Sequence, residues 1–231
     1  MQAYKTFRMK LKYFILLVYI FFDFSIFGQS HYLSIGSKHS GLCFGNSEKY
    51  NGLRFNIRDK DNICINGINI SAIINGEKSN GLTIGLLGGN VSTSNGLSVF
   101  GIYSDGIHNG ISVTGLWTNP TLINGISISL MSTGQTYNGL SVAGWTVYAD
   151  KQINGVAIAM FYVHSEQMNG LSLSLITSEY YKQSGVAISI FNKTEELHGF
   201  QFGLINYAGN NKKIFRWVPI INFNLRQKAS N

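Results

Sequence analysis

Residues 95–102 read NGLSVFGI, and the same phrase returns as NGISVTGL at residues 109–116, NGISISLM at 124–131 and NGLSVAGW at 138–145. Along the whole chain, copies of this phrase are anchored by eleven glycines, at positions 52, 67, 81, 96, 110, 125, 139, 155, 170, 185 and 199. Neighbouring anchors are 14 to 16 residues apart. Internal repeats of nearly fixed length dictate the architecture, so they are interpreted before any single motif.

Each repeat alternates large and small side chains after its glycine. The first and third residues are large and apolar, as in Leu97 and Val99, whereas the second and fourth are mostly Ser or Ala. A period of two predicts a β-strand with one buried face, and we expect the aliphatic residues to be buried and the small residues to point outward. The sixth residue is apolar again, which predicts a bend near the fifth position. The Asn-Gly pair predicts a further corner, because both residues tolerate positive φ.

Two all-β architectures fit tandem strand repeats of 14–15 residues. In a β-solenoid each repeat is one coil, and about twelve coils at ~4.8 Å spacing would make a rod roughly 55 Å long. In an antiparallel outer-membrane β-barrel each repeat is one spanning strand, with small residues facing the lumen and aliphatic residues facing lipid. We favour the β-solenoid for three reasons. The connections do not alternate in length, and the apolar residues switch from odd to even positions after the glycine within each repeat, which would turn large side chains into the lumen of a barrel. Regular stretches of about 7–9 residues are also short for a tilted spanning strand.

The first 28 residues differ from the rest and predict a secretory signal peptide. Four basic residues precede the apolar run at residues 13–22, and small residues follow it, so we expect cleavage after Gly28. We divide the chain into residues 1–28 (signal peptide), 29–50 (N-terminal lead-in strands), 51–210 (tandem repeat array) and 211–231 (closing strand and tail).

The charge of the chain gives no indication of a nucleic-acid partner. The formal net charge is +7, but the predicted signal peptide holds four of the 18 basic residues and one of the 11 acidic residues, which leaves +4 for the mature chain. A mild charge of this size does not indicate nucleic-acid binding. The predicted signal peptide indicates export from the cytoplasm.

Three segments carry a resemblance to a known group of proteins: YNGLRFNIRDKDNICINGINIS at residues 50–71, HGFQFGLINYAGN at 198–210 and RWVPIINFNL at 216–225. Together with the leader ending in FGQ, they resemble exported surface-repeat proteins of Bacteroidota, over residues 40–225. The chain departs from the glycine-richest members by carrying Ser and aromatic residues within the repeats. The resemblance implies a repeat fold and a location at the cell surface or outer membrane of a Gram-negative bacterium, and it implies no activity.

We find no catalytic or metal-binding motif in the sequence. The Ser of GLSVFG recurs in several repeats, and its glycine spacing is one residue longer than in the G-x-S-x-G nucleophile elbow. His164 with Glu166 could contribute at most to a weak surface metal site. Cys43 and Cys64 either pair as a disulfide or remain two free thiols. We therefore predict no catalytic residue, no metal ligand and no cofactor.

One polar cluster near the start of the array is a candidate for binding. Its members Arg54, Asn56 and Arg58 alternate with apolar residues and therefore share a strand face. They form either an anion-binding strip or a solvated outer face close to the N-terminal cap, and we favour the solvated face. The cluster comprises Arg54, Asn56, Arg58, Asp59, Asn69 and Ser71.

The sequence predicts a non-catalytic, exported cell-envelope protein that acts as a structural or interaction scaffold. The alternative is an integral outer-membrane barrel that serves as a small pore or an anchor. Partners stay open, with the outer membrane or other envelope proteins as the candidates.

Overall fold

The computed structural model describes residues 32–59 and 63–225, and the predicted signal peptide lies outside these described residues. None of the described residues forms a helix long and apolar enough to cross a membrane. The regular structure comprises strands β1 (Tyr32–Ser37), β2 (Ser40–Gly45), β3 (Lys49–Arg58), β4 (Cys64–Phe100), β5 (Tyr103–Ala159), β6 (Tyr162–Ser174), β7 (Thr177–Ile188), β8 (Phe191–Ala208) and β9 (Trp217–Asn224), and a 3-10 helix at Lys213–Phe215.

Consecutive repeats stack on one another in parallel. From β2 to β8 each strand pairs in parallel with the next one along the chain. The register places anchor beside anchor, for example Gly52 beside Gly67 and Gly170 beside Gly185. The chain is therefore a β-solenoid with one coil per repeat, as the repeat length predicts. The antiparallel barrel is wrong, because adjoining repeats run in the same direction.

The glycine anchors form one continuous column along the rod, which we call the glycine column. Their φ angles lie between +112° and +151°, a region that L side chains rarely adopt. A Cβ atom on Gly139 would also collide with the carbonyl oxygen of Gly125, and the same contact recurs along the column. The column comprises Gly41, Gly52, Gly67, Gly81, Gly96, Gly110, Gly125, Gly139, Gly155, Gly170, Gly185 and Gly199.

The glycine column is one coil longer than the repeats counted in the sequence. Gly41 pairs directly with Gly52, although only 11 residues separate them. The short phrase Ser40–Phe44 thus forms a coil of its own inside the segment assigned to lead-in strands. Its spacing falls below the 14-to-16-residue period, and the repeat count missed it for that reason.

The asparagines that precede nine of the twelve glycines form a second column, the asparagine ladder. The side-chain amide of each Asn donates to the side-chain oxygen of the Asn one coil earlier, at 2.6–2.8 Å. Each such bond contributes about 1 kcal/mol net. The ladder links Asn51, Asn66, Asn80, Asn95, Asn109, Asn124, Asn138, Asn154 and Asn169.

The coil closes because the chain turns at two kinds of corner. One corner lies at the positive-φ glycine, and the other lies four to six residues later, where the chain bends at residues 101–102, 160–161, 175–176 and 189–190. The bend expected near the fifth position of the repeat is present in these four coils, whereas the strand continues through the corresponding residues of the coils inside β4 and β5. Between the two corners, the strand segment is only about five residues long.

The interior of the solenoid holds the small residues of each repeat, contrary to the sequence expectation. Ser98 has 2% of its surface exposed, whereas its neighbour Leu97 has 39% exposed. The same inversion recurs from coil to coil, because the second residue after the glycine is buried throughout. This interior row is Cys43, Arg54, Asn69, Thr83, Ser98, Ser112, Ser127, Ser141, Ala157, Ser172, Ala187 and Gln201.

The narrow coil explains why the small residues are inside. Inward side chains from all sides of a 14-to-15-residue coil converge on one axis, so their summed volume is limited by close packing. Ser, Thr and Ala fill the row two residues after the glycine in most coils, and a second interior row, two residues before the glycine, holds mostly larger side chains such as Ile123, Ile153 and Met168. Outward side chains face no such limit, and the aliphatic residues take those positions.

Antiparallel strands close both ends of the rod. β1 pairs antiparallel with β2, and β9 pairs antiparallel with β8. Buried amides tie the last coils to this closing strand, since Asn192 donates to Asn206 at 2.8 Å and Asn206 donates to the Val218 carbonyl at 3.1 Å. β9 also contains Pro219, which has no N–H to offer a further strand. Closed ends limit edge-to-edge association.

The glycine column can be tested within a single coil. We expect Gly139→Ala to lower the free energy of unfolding by roughly 3 kcal/mol or more, because the new Cβ meets the Gly125 backbone at a strained φ. Gly144→Ala is the matched control, because its Cβ approaches only the end of the flexible Leu130 side chain, at 2.9 Å. Urea unfolding measures both variants, and equal losses would contradict the assignment.

Candidate functional site

The polar cluster near the N-terminal end lies inside the solenoid. The Arg54 side chain is fully buried and forms an ion pair with Asp59 at 2.7 Å. Its guanidinium also donates to Asn69 at 3.0 Å and to Asn46 at 3.2 Å. Asn56 donates to both Asn46 and Asp59, at 2.6 Å each. Most polar atoms of these side chains therefore have partners within the first coils, whereas the buried Nε of Arg54 has none among the described residues.

Neither hypothesis for this cluster matches its geometry. The solvated outer face is wrong, because Arg54, Asp59 and Asn69 are buried and only Arg58 projects to solvent. Ser71 is also buried, and its hydroxyl donates to the Ile73 carbonyl at 3.0 Å. An anion would have to compete with Asp59 for the buried guanidinium. The cluster fills the interior of the N-terminal coils, and we assign it a structural role.

The buried ion pair makes a stability prediction. Arg54→Met or Asp59→Leu alone leaves its partner charged and buried, so each should lower the free energy of unfolding by about 3–5 kcal/mol. The double variant should lose less than the sum of the two single losses, because it removes both charges together. Urea unfolding of the four proteins forms the double-mutant cycle, and strictly additive losses would show that the pair is not coupled.

His108 is a second buried group, and it lies in the middle of the rod. Its ring packs edge-on against Phe100, with the ring centroids 5.9 Å apart. Neither ring nitrogen has a hydrogen-bond partner among the described residues. Burial lowers the pKa of His108 to about 4, against a smaller opposing effect of Asp105. The imidazole is therefore neutral at pH 7 and serves as an interior spacer.

The lowered pKa of His108 makes stability depend on pH. As the pH falls below the unfolded pKa of 6.5, the unfolded state binds a proton that the folded state does not bind until about pH 4. We expect the free energy of unfolding to fall by about 3 kcal/mol over this window on account of His108.

The control for this titration is His108→Ile, which places there the residue found one coil later, at Ile123. Urea unfolding at several pH values should show a smaller loss between pH 6.5 and 4 for this variant than for the wild type. Parallel curves for the two proteins would contradict the assignment.

A third group of titratable residues lies on an outer side of the rod. His164 sits beside Glu179 of the next coil, and not beside Glu166 as the sequence suggested. The Tyr162 hydroxyl lies 3.1 Å from both His164 Nδ1 and Glu179 Oε2, and Lys193 pairs with Glu179 at 2.7 Å. The hydrogen bond from Lys193 lowers the pKa of Glu179, whereas burial lowers the pKa of His164.

This outer group has the geometry of a ladder between coils. The rings of Tyr148 and His164 are stacked with centroids 4.7 Å apart, so each ring covers the face of its neighbour. A ligand that stacks on aromatic rings would need those faces free. Among the described residues, no three His, Cys, Asp or Glu side chains gather closely enough to hold a metal ion.

The two cysteines are free thiols in the structure. Cys43 is buried and lies 3.4 Å from the Ser47 hydroxyl, whereas Cys64 is partly exposed near Glu77. The two residues occupy different positions in their coils. In the strand register, Cys43 lies beside Arg54, whereas Cys64 lies beside Lys49. Of the alternatives left open by the sequence, the structure contains the unpaired thiols.

One side of the rod carries a sheet face made of apolar side chains, which we call the aliphatic face. It consists of the first and third residues after each glycine of the column, and none of these side chains is fully buried. The first row is Leu42, Leu53, Ile68, Leu82, Leu97, Ile111, Ile126, Leu140, Val156, Leu171, Val186 and Phe200. The second row is Phe44, Phe55, Ile70, Ile84, Val99, Val113, Ile128, Val142, Ile158, Leu173, Ile188 and Phe202.

The corner beyond these two rows extends the apolar surface. It adds exposed side chains such as Leu86, Leu116 and Trp145. Rows of twelve coils at ~4.8 Å spacing run for about 50 Å, and the strand with its corner is about 15 Å wide. Sequence reasoning placed these residues in the core. The sequence did contain a signal for this face. The apolar rows are uninterrupted, and a coil of 14–15 residues is too small to enclose such large side chains.

No protein-family model, curated protein or solved structure matches the chain.

Proposed function

We propose that this protein is a non-catalytic, exported scaffold of the bacterial cell envelope that acts by presenting its aliphatic face to a binding partner. The observation that carries the proposal is the face itself. Soluble monomers rarely expose contiguous apolar patches of more than a few hundred Å². At about 50 Å by 15 Å, the aliphatic face exceeds that size, and large apolar patches mark sites of interaction.

The rigidity of the β-solenoid supports a scaffold role. The backbone of each coil is hydrogen-bonded to the coils on both sides, and the asparagine ladder adds side-chain bonds. A surface held in this way loses little conformational freedom when it binds, which favours affinity. The rod therefore offers a pre-formed, flat binding surface.

The distribution of side-chain chemistry supports the non-catalytic part of the proposal. The recurring Ser residues, such as Ser98 and Ser127, point into the solenoid, where a substrate cannot reach them. Of the buried titratable groups, Arg54 and Asp59 are paired with each other, whereas His108 lies in another coil and has no hydrogen-bond partner among the described residues. Acid–base catalysis requires titratable groups that converge on an accessible pocket.

The leader at residues 1–28 and the resemblance to exported surface-repeat proteins support the envelope location. We expect the full chain, expressed in a Gram-negative host, to begin at Gln29 when its N-terminus is read by mass spectrometry. We also expect it to fractionate with the envelope. A chain that keeps residues 1–28 and stays in the cytoplasm would overturn the location.

The role of the aliphatic face is tested in the same fractions. Ile128→Glu places a charge in the middle of the face and should abolish the chemical cross-links that the wild type forms through this face in the envelope fraction. Thr121→Glu is the matched control, because Thr121 is exposed on the neighbouring coil and lies outside the face. Equal cross-linking of both variants would contradict the proposed function.

A further inference from the structure

We propose that the partner of the aliphatic face is the same face of a second copy of this chain, so that the protein forms a two-fold symmetric dimer of rods. This inference rests on the proposed function, since it names the partner of the same surface. Three properties of the face carry it: its area, its geometry and its lack of charge.

The area of the face matches what a stable dimer requires. A face of about 50 Å by 15 Å offers roughly 750 Å². A standard specific interface buries about 800 Å² on each partner. One face laid on another therefore supplies a complete interface without further contacts. Interfaces of homodimers are also more apolar than other protein surfaces, which fits a face built only from Leu, Ile, Val and Phe.

The geometry of the face is complementary to itself. Its side chains form ridges, one from each coil, separated by the ~4.8 Å distance between parallel strands. A second copy carries ridges with the same spacing, so ridges of one copy can enter the grooves of the other along the whole length. Two β-sheets pack in this way at a distance of about 10 Å. With a two-fold axis through the centre of the face, both copies would use the same residues and make identical contacts.

The absence of charge removes the main obstacle to self-association. The chain is basic overall, but the two rows of the face contain no charged residue. Two copies can therefore meet without bringing like charges together. Ile111 and Ile128 lie near the middle of the rod, where the symmetry axis would place each one close to the partner rod.

The edges of the face favour a second copy over a lipid surface. Peripheral binding to anionic membranes uses Lys and Arg side chains beside the apolar surface. One edge of the aliphatic face is the neutral asparagine ladder. Beyond the other edge, Lys193 is paired with Glu179, and the exposed Arg58 lies in the corner row at the N-terminal end of the rod. A single exposed basic side chain at one end of this edge offers little positive charge to lipid headgroups.

The test is the oligomeric state of the protein purified after expression of the full chain. Sedimentation-velocity and equilibrium ultracentrifugation should show a dimer for the wild type. Ile128→Lys should raise the dissociation constant roughly a hundredfold or more, because two lysines would face an apolar interface. Thr121→Lys, with the same charge outside the face, should remain dimeric, as should the conservative Ile128→Val.

Circular dichroism of each variant establishes that the β-solenoid is intact. If Ile128→Lys does not fold, Ile111→Lys in the other row of the face takes its place. A wild type that sediments as a monomer at its highest soluble concentration would overturn the inference, as would a dimer that persists in both lysine variants.

Flotation with phosphatidylcholine vesicles, with and without phosphatidylglycerol, separates this inference from the proposed function. If the wild type is a monomer that floats with vesicles and the lysine variant does not float, the dimer is overturned. The aliphatic face then remains a binding surface, with lipid as its partner. A dimer that is lost in Ile128→Lys and does not float supports the inference. A wild type that neither dimerises nor floats with vesicles would leave the aliphatic face without a partner and would overturn the proposed function itself.

Discussion

The close approach of each glycine to the glycine one coil earlier is the constraint on which the rest of the structure depends. At this contact there is no room for a Cβ atom, and the φ angle is one that only glycine adopts readily. The contact fixes the register of every coil, and register decides which side chains point inward. The asparagine ladder, the interior rows and the aliphatic face all follow from this alignment.

The repeat length and its glycine anchors were enough to predict the parallel β-solenoid and its bend, because a coil must have nearly constant length to stack. They were not enough to predict which face is buried. The alternation of Leu97 with Ser98 has the same period whichever residue faces inward, and the usual assignment buries the larger one. Here the cross-section of a coil of 14–15 residues is too small for that assignment. The period of two was therefore predicted correctly, but the buried and the exposed face were exchanged.

The same limit explains the candidate sites. Arg54 and Asp59 looked like surface residues because charged side chains are rarely buried, yet their pairing lets the first coils fill their interior with polar groups. The environment of His164 depends on Glu179, fifteen residues later, and becomes visible only when the coil register is known. Short-range sequence patterns describe one coil, whereas each site is built between coils.

Between the antiparallel strands at the two ends, successive coils are joined by the same parallel pairing with glycine beside glycine. Gain or loss of a whole repeat would therefore preserve all junctions and change only the length of the rod, by one strand spacing at a time. Unequal recombination in a gene of this design can therefore change the length of the rod without producing a protein that fails to fold. Selection acting on span can thus proceed separately from selection acting on the surface.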